Sequence, residues 1–255
     1  MIPYDSDSVA LELAKAPIDP RTGNRVLYSV SWVANNNSMI GARNEDWVRR
    51  ELDWFSAASD NLNDMEEPVP TAFQDCAGPD GTVNSAYGHI LLGRRGMRYS
   101  PNSMVDRMVD TLIREGKESR HAVAILSDRD VHELATKDGR KDFICTNALN
   151  VMIDFDDRLH IIAQMRSMDA VWGYRADYSM WDYLMSYLLG SLEMVYPELT
   201  RGNITFQVAN LHVYPRHFDL LDRWSNQIYK DQGRELRISW MNNKAAAAAA
   251  WEAQK

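Results

Sequence analysis

Hydrophobic residues recur at helical spacing in three segments of the chain. Residues 43–58 carry apolar side chains three and four positions apart, behind Asn44 as a suitable N-cap. Residues 103–115 repeat this pattern, and Gly116 is a typical helix stop. Residues 178–193 are apolar around most of the helix circumference, which places this helix at the centre of the predicted core.

Segments rich in β-branched and aromatic residues lie between these helices. They predict strands over residues 121–126, 149–155, 159–165 and 204–214, and a further short strand over 84–92. The sequence DFDDR at 154–158 is short enough to be a hairpin turn. Interleaved helices and strands, without a repeat or a long linker, predict one α+β domain over residues 1–255. Residues 244–255 are an alanine-rich, low-complexity tail, either a short helix or a frayed end.

Composition and charge limit the kinds of molecule that we expect this protein to bind. The net charge of −8 argues against long nucleic acids, which bind basic surfaces, although a few arginines are enough for one small phosphorylated ligand. No apolar run approaches the ~20 residues that span a bilayer, and the acidic N-terminal region does not resemble a signal peptide. We therefore expect a cytoplasmic protein that makes no membrane contact.

The chain has two cysteines, Cys76 and Cys145. Two are too few for a disulfide framework or a four-thiolate zinc site, so we expect a reducing compartment and no metal. A lone cysteine is more often a small buried hydrophobic residue than a nucleophile, and both alternatives stay open for Cys145 on this ground.

Glu51 occupies an unexpected place in the first predicted helix. It follows Trp47 and precedes Phe55 at a spacing of four, so its carboxylate points to the side of two aromatic rings. One interpretation is an edge residue paired with Arg49, Arg50 or another cation, and periodicity alone favours it. The other is a buried carboxylic acid with a raised pKa, able to exchange protons near neutral pH.

Three further side chains have both a structural and a chemical interpretation. Arg166 and Ser167 directly follow a predicted strand, where they could bind a phosphate, or Arg166 could form a surface ion pair with Asp169. Asp177 precedes the most apolar helix, and its position alone favours an ordinary N-cap.

Six separated motifs resemble the thymidylate synthase superfamily, and within it the phage deoxycytidylate hydroxymethylases. The likeness runs from about residue 21 to residue 225 through RRELDWF, NSAYGH, KESRH, CTN, MRSMDAVWGYRADYSMWDYLMSYLL and NLHVYPRHF. It implies a thymidylate synthase-like α+β fold, with helices packed on a mixed sheet. The opposite face of that sheet is then expected to form the interface of a homodimer.

The resemblance also implies a reaction on a pyrimidine nucleotide with 5,10-methylenetetrahydrofolate as one-carbon donor. Cys145 resembles the nucleophile that adds to C6 of the base, and Glu51 resembles the glutamate that shuttles protons. Tyr87 resembles the tyrosine that lines the site near the general-base water. Arg166 resembles the arginine that touches both the substrate phosphate and the cysteine sulfur.

The remaining site residues follow from the same likeness. The phosphate ligands are Arg166, Ser167, Arg21, Arg120 contributed by the partner subunit, and His121 in place of a second family arginine. The sugar 3′-hydroxyl ligands are His212 and Tyr214. The folate contacts are Asp169, Gly173 and Phe73, the last in the approximate place of a family tryptophan.

Asp177 indicates which pyrimidine base the substrate carries. Thymidylate synthases carry asparagine at this position for uracil, whereas cytosine-specific members carry aspartate, so the resemblance predicts dCMP as substrate. We expect water to complete the reaction and give 5-hydroxymethyl-dCMP, in the cytoplasm of a phage-infected bacterium. The alternatives are a dCMP C5-methyltransferase, a dUMP-using hydroxymethylase or thymidylate synthase, and a non-catalytic nucleotide-binding homologue with a structural Cys145.

Overall fold

A mixed β-sheet forms the centre of the fold in the computed structural model, which describes residues 5–93, 103–231 and 234. The strands are β1 (Arg25–Val33), β2 (Val123–Ile125), β3 (Thr146–Ile153), β4 (Arg158–Met165), β5 (Met168–Asp169) and β6 (Thr200–Val213). Their order in the sheet is β1-β6-β4-β3-β2, with the short β5 also paired to β6. β4 and β5 run parallel to β6, and the other pairs are antiparallel.

Helices cover one face of this sheet. They are α1 (Ser6–Lys15), α2 (Glu45–Ser56), α3 (Thr71–Cys76), α4 (Tyr87–Leu92), α5 (Met104–Glu115), α6 (Arg129–Leu134) and α7 (Gly173–Leu192), followed by a helical segment at 218–231. Three short 3₁₀ turns lie at Leu62–Asp64, Lys137–Gly139 and Pro215–His217. Within the described ranges, no helix is long and apolar enough to cross a membrane.

The two faces of the sheet differ in burial. Along β4, Leu159, Ile161, Ala163 and Met165 are buried, while the alternate side chains are exposed or half-buried. α7 packs over the buried face, where Trp32 of β1 lies between Tyr174 of α7 and Phe206 of β6. The central strands and α7 therefore enclose the main core.

Most predicted elements are confirmed. α2, α5 and α7 lie at the three helical segments, and β2, β3, β4 and β6 at four of the predicted strands. Asn44 caps α2 by accepting the N–H of Trp47 at 3.1 Å, and Gly116 ends α5 with a φ of +97°. The turn between β3 and β4 falls at 154–157, as DFDDR predicts.

The short strand predicted over 84–92 is wrong, because residues 87–92 form α4. Periodicity does not distinguish so short an apolar run from a helix turn. α4 packs its Gly88 directly against the backbone of Phe55, where a Cβ atom would clash. α1 and β1 were not predicted from the sequence.

The N-cap interpretation of Asp177 is also wrong. α7 begins at Gly173, so Asp177 lies inside the helix. Asp169 lies before the helix, and its carboxylate accepts the N–H groups of Val171 and Trp172, each at 3.1 Å, in the turn that leads into α7. The predicted tail at 244–255 lies outside the described residues.

Candidate active site

Strand register brings Cys145 and Arg166 together. Cys145 directly precedes β3, Arg166 directly follows β4, and Thr146 pairs with Met165 across the two strands. The Arg166 N–H donates to the Cys145 carbonyl at 2.9 Å, and Nη2 of Arg166 lies 3.7 Å from the Cys145 Sγ. The same guanidinium donates to the carbonyls of Ile144 and Phe143, each at 2.7 Å. Arg166 is therefore held beside the thiol, and Asp169 is not its partner.

Opposing effects set the acidity of the Cys145 thiol. Burial raises its pKa above the ordinary value, and the nearby Arg166 guanidinium partly offsets that rise. The carboxylates of Asp177 and Asp142 raise the pKa further. The thiol form thus predominates near neutral pH, and Arg166 is the cation that stabilises the thiolate when it forms.

Glu51 is a buried acid, with 7% of its surface exposed. Its Oε2 accepts the indole N–H of Trp47 at 2.9 Å, one helical turn away on α2. Burial raises the pKa of Glu51 to about 7, opposed only in part by this hydrogen bond. Arg49 and Arg50 instead form ion pairs with other carboxylates. Glu51 is therefore a buried carboxyl with a raised pKa, and its role in proton exchange stays a prediction.

Asp177 is a second buried acid, on the face of α7 that points toward the site. Burial raises its pKa well above the ordinary value, and the charges of Glu51 and Asp169 add to the rise. Within the described part of the chain, its carboxyl has no hydrogen-bond or ion-pair partner. A protonated, unpartnered carboxyl offers one donor and one acceptor to a ligand.

Tyr87 connects α4 to the nucleophile segment. Its hydroxyl oxygen accepts the backbone N–H and the hydroxyl of Thr146, both at 3.0 Å. Its ring stacks on Trp181, with centroids 5.5 Å apart. Trp181 and Asp177 are four residues apart on α7, so this one helix face orients both the tyrosine and the buried acid.

The end of β6 brings further predicted residues together. β5 pairs with β6 so that Asp169 lies opposite His212. The His212 and Tyr214 rings meet edge to face with centroids 5.0 Å apart, and His212 Nδ1 lies 3.1 Å from the Asn210 side-chain oxygen. Burial lowers the pKa of His212, so its imidazole is neutral at physiological pH and suited to hydrogen bonding.

An aromatic cleft next to this cluster was not predicted from the sequence. Asn44, Trp47, Val48, Trp172 and Arg175 line an open cleft. The rings of Trp47 and Trp172 stack with centroids 6.5 Å apart, and Arg216 lies 4.6 Å above the Trp172 ring. The spacing of four between Trp47 and Glu51 was the sequence signal that could have identified it.

Three other predicted ligands are exposed, and two of them are paired with carboxylates outside this cluster. Arg21 is in the loop before β1, paired with Asp19 at 2.9 Å and 79% exposed. Arg120 is exposed, and His121 Nδ1 lies 2.8 Å from a Glu115 oxygen. In the described structure, none of the three forms a hydrogen bond or ion pair with another predicted ligand.

The last predicted ligands are a serine, a glycine and a phenylalanine. Ser167 is half-buried directly after Arg166, and Gly173 begins α7 next to the Asp169 side chain. Phe73 packs edge to face on Trp54, in a small second core that also contains Leu62, Met65 and Val83.

The cluster combines the elements of covalent catalysis. A thiol lies beside a fixed cation, two buried acids have raised pKa values, and the aromatic cleft adjoins Glu51 through Trp47. Cys145 interacts electrostatically with Asp177, and Asp177 with Glu51.

Comparisons with known proteins agree with this geometry. Residues 43–253 match the family model described as thymidylate synthase. The chain is 30% identical to the deoxycytidylate 5-hydroxymethyltransferase of Enterobacteria phage T6 over 200 residues, which cover 78% of both chains. The enzyme of the same name from Enterobacteria phage T2 is 30% identical over 204 residues, covering 78% of this chain and 79% of its own.

A solved structure shares the fold. The thermostable thymidylate synthase A from Bacillus subtilis superposes with a TM-score of 0.66 at 19% identity, covering 86% of this chain and 82% of its own. The chain therefore belongs to the thymidylate synthase family, and it is a transferase of one-carbon groups.

Proposed function

We propose that this protein is a dCMP 5-hydroxymethyltransferase. It transfers a one-carbon unit from 5,10-methylenetetrahydrofolate to C5 of dCMP and completes the reaction with water. The observation that carries the proposal is Asp177, a buried carboxyl without a partner among the described residues, whose pKa is raised well above the ordinary value. Cytosine presents an amino donor at N4 and an acceptor at N3, and a neutral carboxyl complements both.

Cys145 begins the chemistry. Its sulfur adds to C6 of the base, and Arg166 at 3.7 Å stabilises the thiolate that attacks. The addition makes C5 electron-rich, so C5 is able to form a bond to the one-carbon unit. Loss of the C5 proton and expulsion of Cys145 later restore the aromatic ring.

Glu51 is suited to the proton transfers. A pKa of about 7 lets one carboxyl both accept and donate a proton near neutral pH. Tyr87 stays protonated because burial raises its pKa well above the ordinary value, so it acts as a fixed hydrogen-bonding group.

The aromatic cleft fits the one-carbon donor. When bound, 5,10-methylenetetrahydrofolate supplies a carbon at the oxidation level of formaldehyde. Trp47 and Trp172 offer flat apolar surfaces to its ring systems, and Asp169 with Gly173 lies at the start of the helix beside them. Overall, dCMP, methylenetetrahydrofolate and water react to give 5-hydroxymethyl-dCMP and tetrahydrofolate. The folate ring is neither oxidised nor reduced.

Phosphate and subunit contacts complete the proposal. Arg166, Ser167 and Arg21 bind the nucleotide phosphate from the same subunit, and the partner subunit of a homodimer contributes Arg120. His121 contributes less, because Glu115 already engages its imidazole. His212 and Tyr214 bind the sugar hydroxyl. The phage relatives favour the cytoplasm of an infected bacterium as the setting.

Mass spectrometry of the product from dCMP and methylenetetrahydrofolate tests the proposal. We expect dCMP extended by one CH₂O unit, with no dihydrofolate absorbance. A methyl product accompanied by dihydrofolate would show that hydride, not water, completes the reaction. Cys145→Ser is the matched control, since it changes one atom and should abolish both turnover and the covalent adduct with dCMP.

A further inference from the structure

A third carboxylate lies close to the nucleophile, and the reaction described above does not use it. Asp142, three residues before Cys145, is completely buried. It accepts the backbone N–H of Ser85 at 3.0 Å, and it also accepts the N–H of Asn84 and the Ser85 hydroxyl. In the described part of the chain it forms no ion pair. Burial of a carboxylate without a cation is costly, and these three neutral donors compensate for it.

These hydrogen bonds connect two segments of the active site. On the other side of Cys145, Thr146 donates its N–H and its hydroxyl to Tyr87. The nucleophile therefore lies between two connections to the same segment, one from Asp142 to residues 84–85 and one from Thr146 to Tyr87. Between them, the carbonyls of residues 143 and 144 accept from Arg166.

The segment at 84–87 is itself well anchored. The side-chain amide of Asn84 donates to the Val131 carbonyl at 2.7 Å, and Tyr87 stacks on Trp181. Asp142 also donates its own N–H to the Ala135 carbonyl at 2.9 Å. The carboxylate thus fixes the nucleophile peptide to a rigid support.

We propose that Asp142 is a positioning residue, which holds the peptide of Cys145 in register with the segment that carries Tyr87. The inference rests on the proposed function only in taking Cys145 as the reacting group. A thiol that must meet C6 of a bound base tolerates little displacement, because about 1 Å of misplacement costs roughly a hundredfold in rate.

The negative charge of Asp142 has a second effect on Cys145, which can be measured separately from the effect of the hydrogen bonds. The groups that interact electrostatically with the Cys145 thiol are Arg166, Asp177, Asp142, Tyr87, Tyr214 and Cys76. After burial, which dominates, the Asp142 charge is among the contributions that raise the pKa of the thiol. Removing that charge therefore makes Cys145 more acidic, while removing the hydrogen bonds makes it less well placed.

Asp142→Asn tests both effects, with Asp138→Asn as the control. Asp138 is an exposed carboxylate four residues earlier. The readouts are the pH dependence of Cys145 alkylation by iodoacetamide, followed by peptide mass spectrometry to separate it from Cys76, and kcat and KM for dCMP. For Asp142→Asn we expect the alkylation midpoint to fall, because a charge that raises the pKa of the thiol is removed. We also expect kcat to fall about tenfold or more, with KM changed less than about threefold. The control should match the wild type.

A folded Asp142→Asn variant with wild-type alkylation and kcat would overturn the inference. If that variant does not fold, Ser85→Ala removes one of the three hydrogen bonds and keeps the charge. It should lower kcat without moving the alkylation midpoint, and an unchanged kcat would contradict the positioning role. If the wild type does not turn over dCMP, the proposed function fails. The inference is then judged by the limiting rate of Cys145 alkylation at high pH, which a displaced thiol should change in Asp142→Asn and in Ser85→Ala but not in Asp138→Asn, and an unchanged rate would contradict the positioning role.

Discussion

Glu51 shows how one side chain connects stability with catalysis. Its pKa in the folded protein is about 7, against an ordinary value of 4.5, so the folded state holds its proton more tightly than the unfolded state. The stability that this provides is complete below about pH 4.5 and is lost as pH rises through about 7. Converted at 1.36 kcal/mol per pH unit, the loss is about 3 kcal/mol.

Glu51→Gln should therefore stabilise the protein in alkaline solution. Glutamine is neutral at every pH, so the variant avoids the cost of a buried charge. We expect its free energy of unfolding to exceed that of the wild type by up to about 3 kcal/mol near pH 9 and to match it near pH 4. Denaturant unfolding at both pH values measures the difference. If the free energies of unfolding of the wild type and Glu51→Gln differ by the same amount at both pH values, Glu51 does not titrate in this range.

Asp177→Asn tests the recognition of the base. An amide at this position provides the donor and acceptor that uracil requires, and it cannot titrate. We expect the ratio of kcat/KM for dCMP to that for dUMP to fall about tenfold or more, since one paired hydrogen-bonding contact to a base is worth about 1–3 kcal/mol. The measurement is a comparison of both nucleotides with each enzyme. An unchanged ratio would refute the role of Asp177.

At the residue scale, the sequence identifies candidate side chains but not the contacts between them. Spacing identified Glu51 as a residue that is either paired or buried, and only the ion pairs of Arg49 and Arg50 with other carboxylates decide between the two. The contact of Cys145 with Arg166 depends on strand register, and the stack of Trp47 on Trp172 joins residues far apart in the chain. Periodicity carries neither kind of information.

At the element scale, the packing of α4 on α2 can be tested at Gly88. A methyl group there would meet the backbone of Phe55, which cannot turn aside as the end of a flexible side chain can. We expect Gly88→Ala to lower stability by about 1–3 kcal/mol and also to lower kcat, because Tyr87 begins the same helix. Thermal unfolding and steady-state kinetics measure the two effects.

Gly190→Ala is the matched control for that substitution. Gly190 lies in α7, and nothing comes within 4 Å of the place where its Cβ would be. Alanine favours the helix, so this variant should gain about 0.5–1 kcal/mol without loss of activity. Equal effects at the two glycines would show that backbone propensity, and not the contact between α2 and α4, decides the outcome.

Elements with strong periodicity were predictable, while short ones were not. α2, α5 and α7 each repeat an apolar pattern over three turns or more, and caps at Asn44 and Gly116 mark two ends. α4 has six residues, and its apolar run suits a strand equally well until Phe55 is placed beside it. The start of α7 was misplaced because aspartate is a favourable N-cap residue by type, whereas the helix begins at Gly173, before Asp177, without a side-chain cap.

At the scale of the whole molecule, one face of the sheet is left open by the described helices. Ile125 is 51% exposed, and Met152 is 40% exposed on the adjacent strand β3. Further along the same face, Gln164 of β4 lies in register with Gln207 of β6, which in turn pairs with Ser31 of β1. This surface mixes apolar and hydrogen-bonding side chains, which suits a two-fold contact with a second copy. The homodimer inferred from the family likeness stays a prediction.

Mixing two inactive variants tests both the dimer and the shared site. Cys145→Ser lacks the nucleophile but keeps Arg120, whereas Arg120→Ala keeps the nucleophile but deprives the partner subunit of its phosphate ligand. A heterodimer of the two has one site with both groups, so random subunit exchange in an equimolar mixture should restore about a quarter of the wild-type activity. Unfolding and refolding the mixture before the assay permits exchange, and mixing without it is the control. If Arg120 serves its own subunit, the exchanged mixture stays as inactive as its components, because no combination then places Cys145 and Arg120 in the same site.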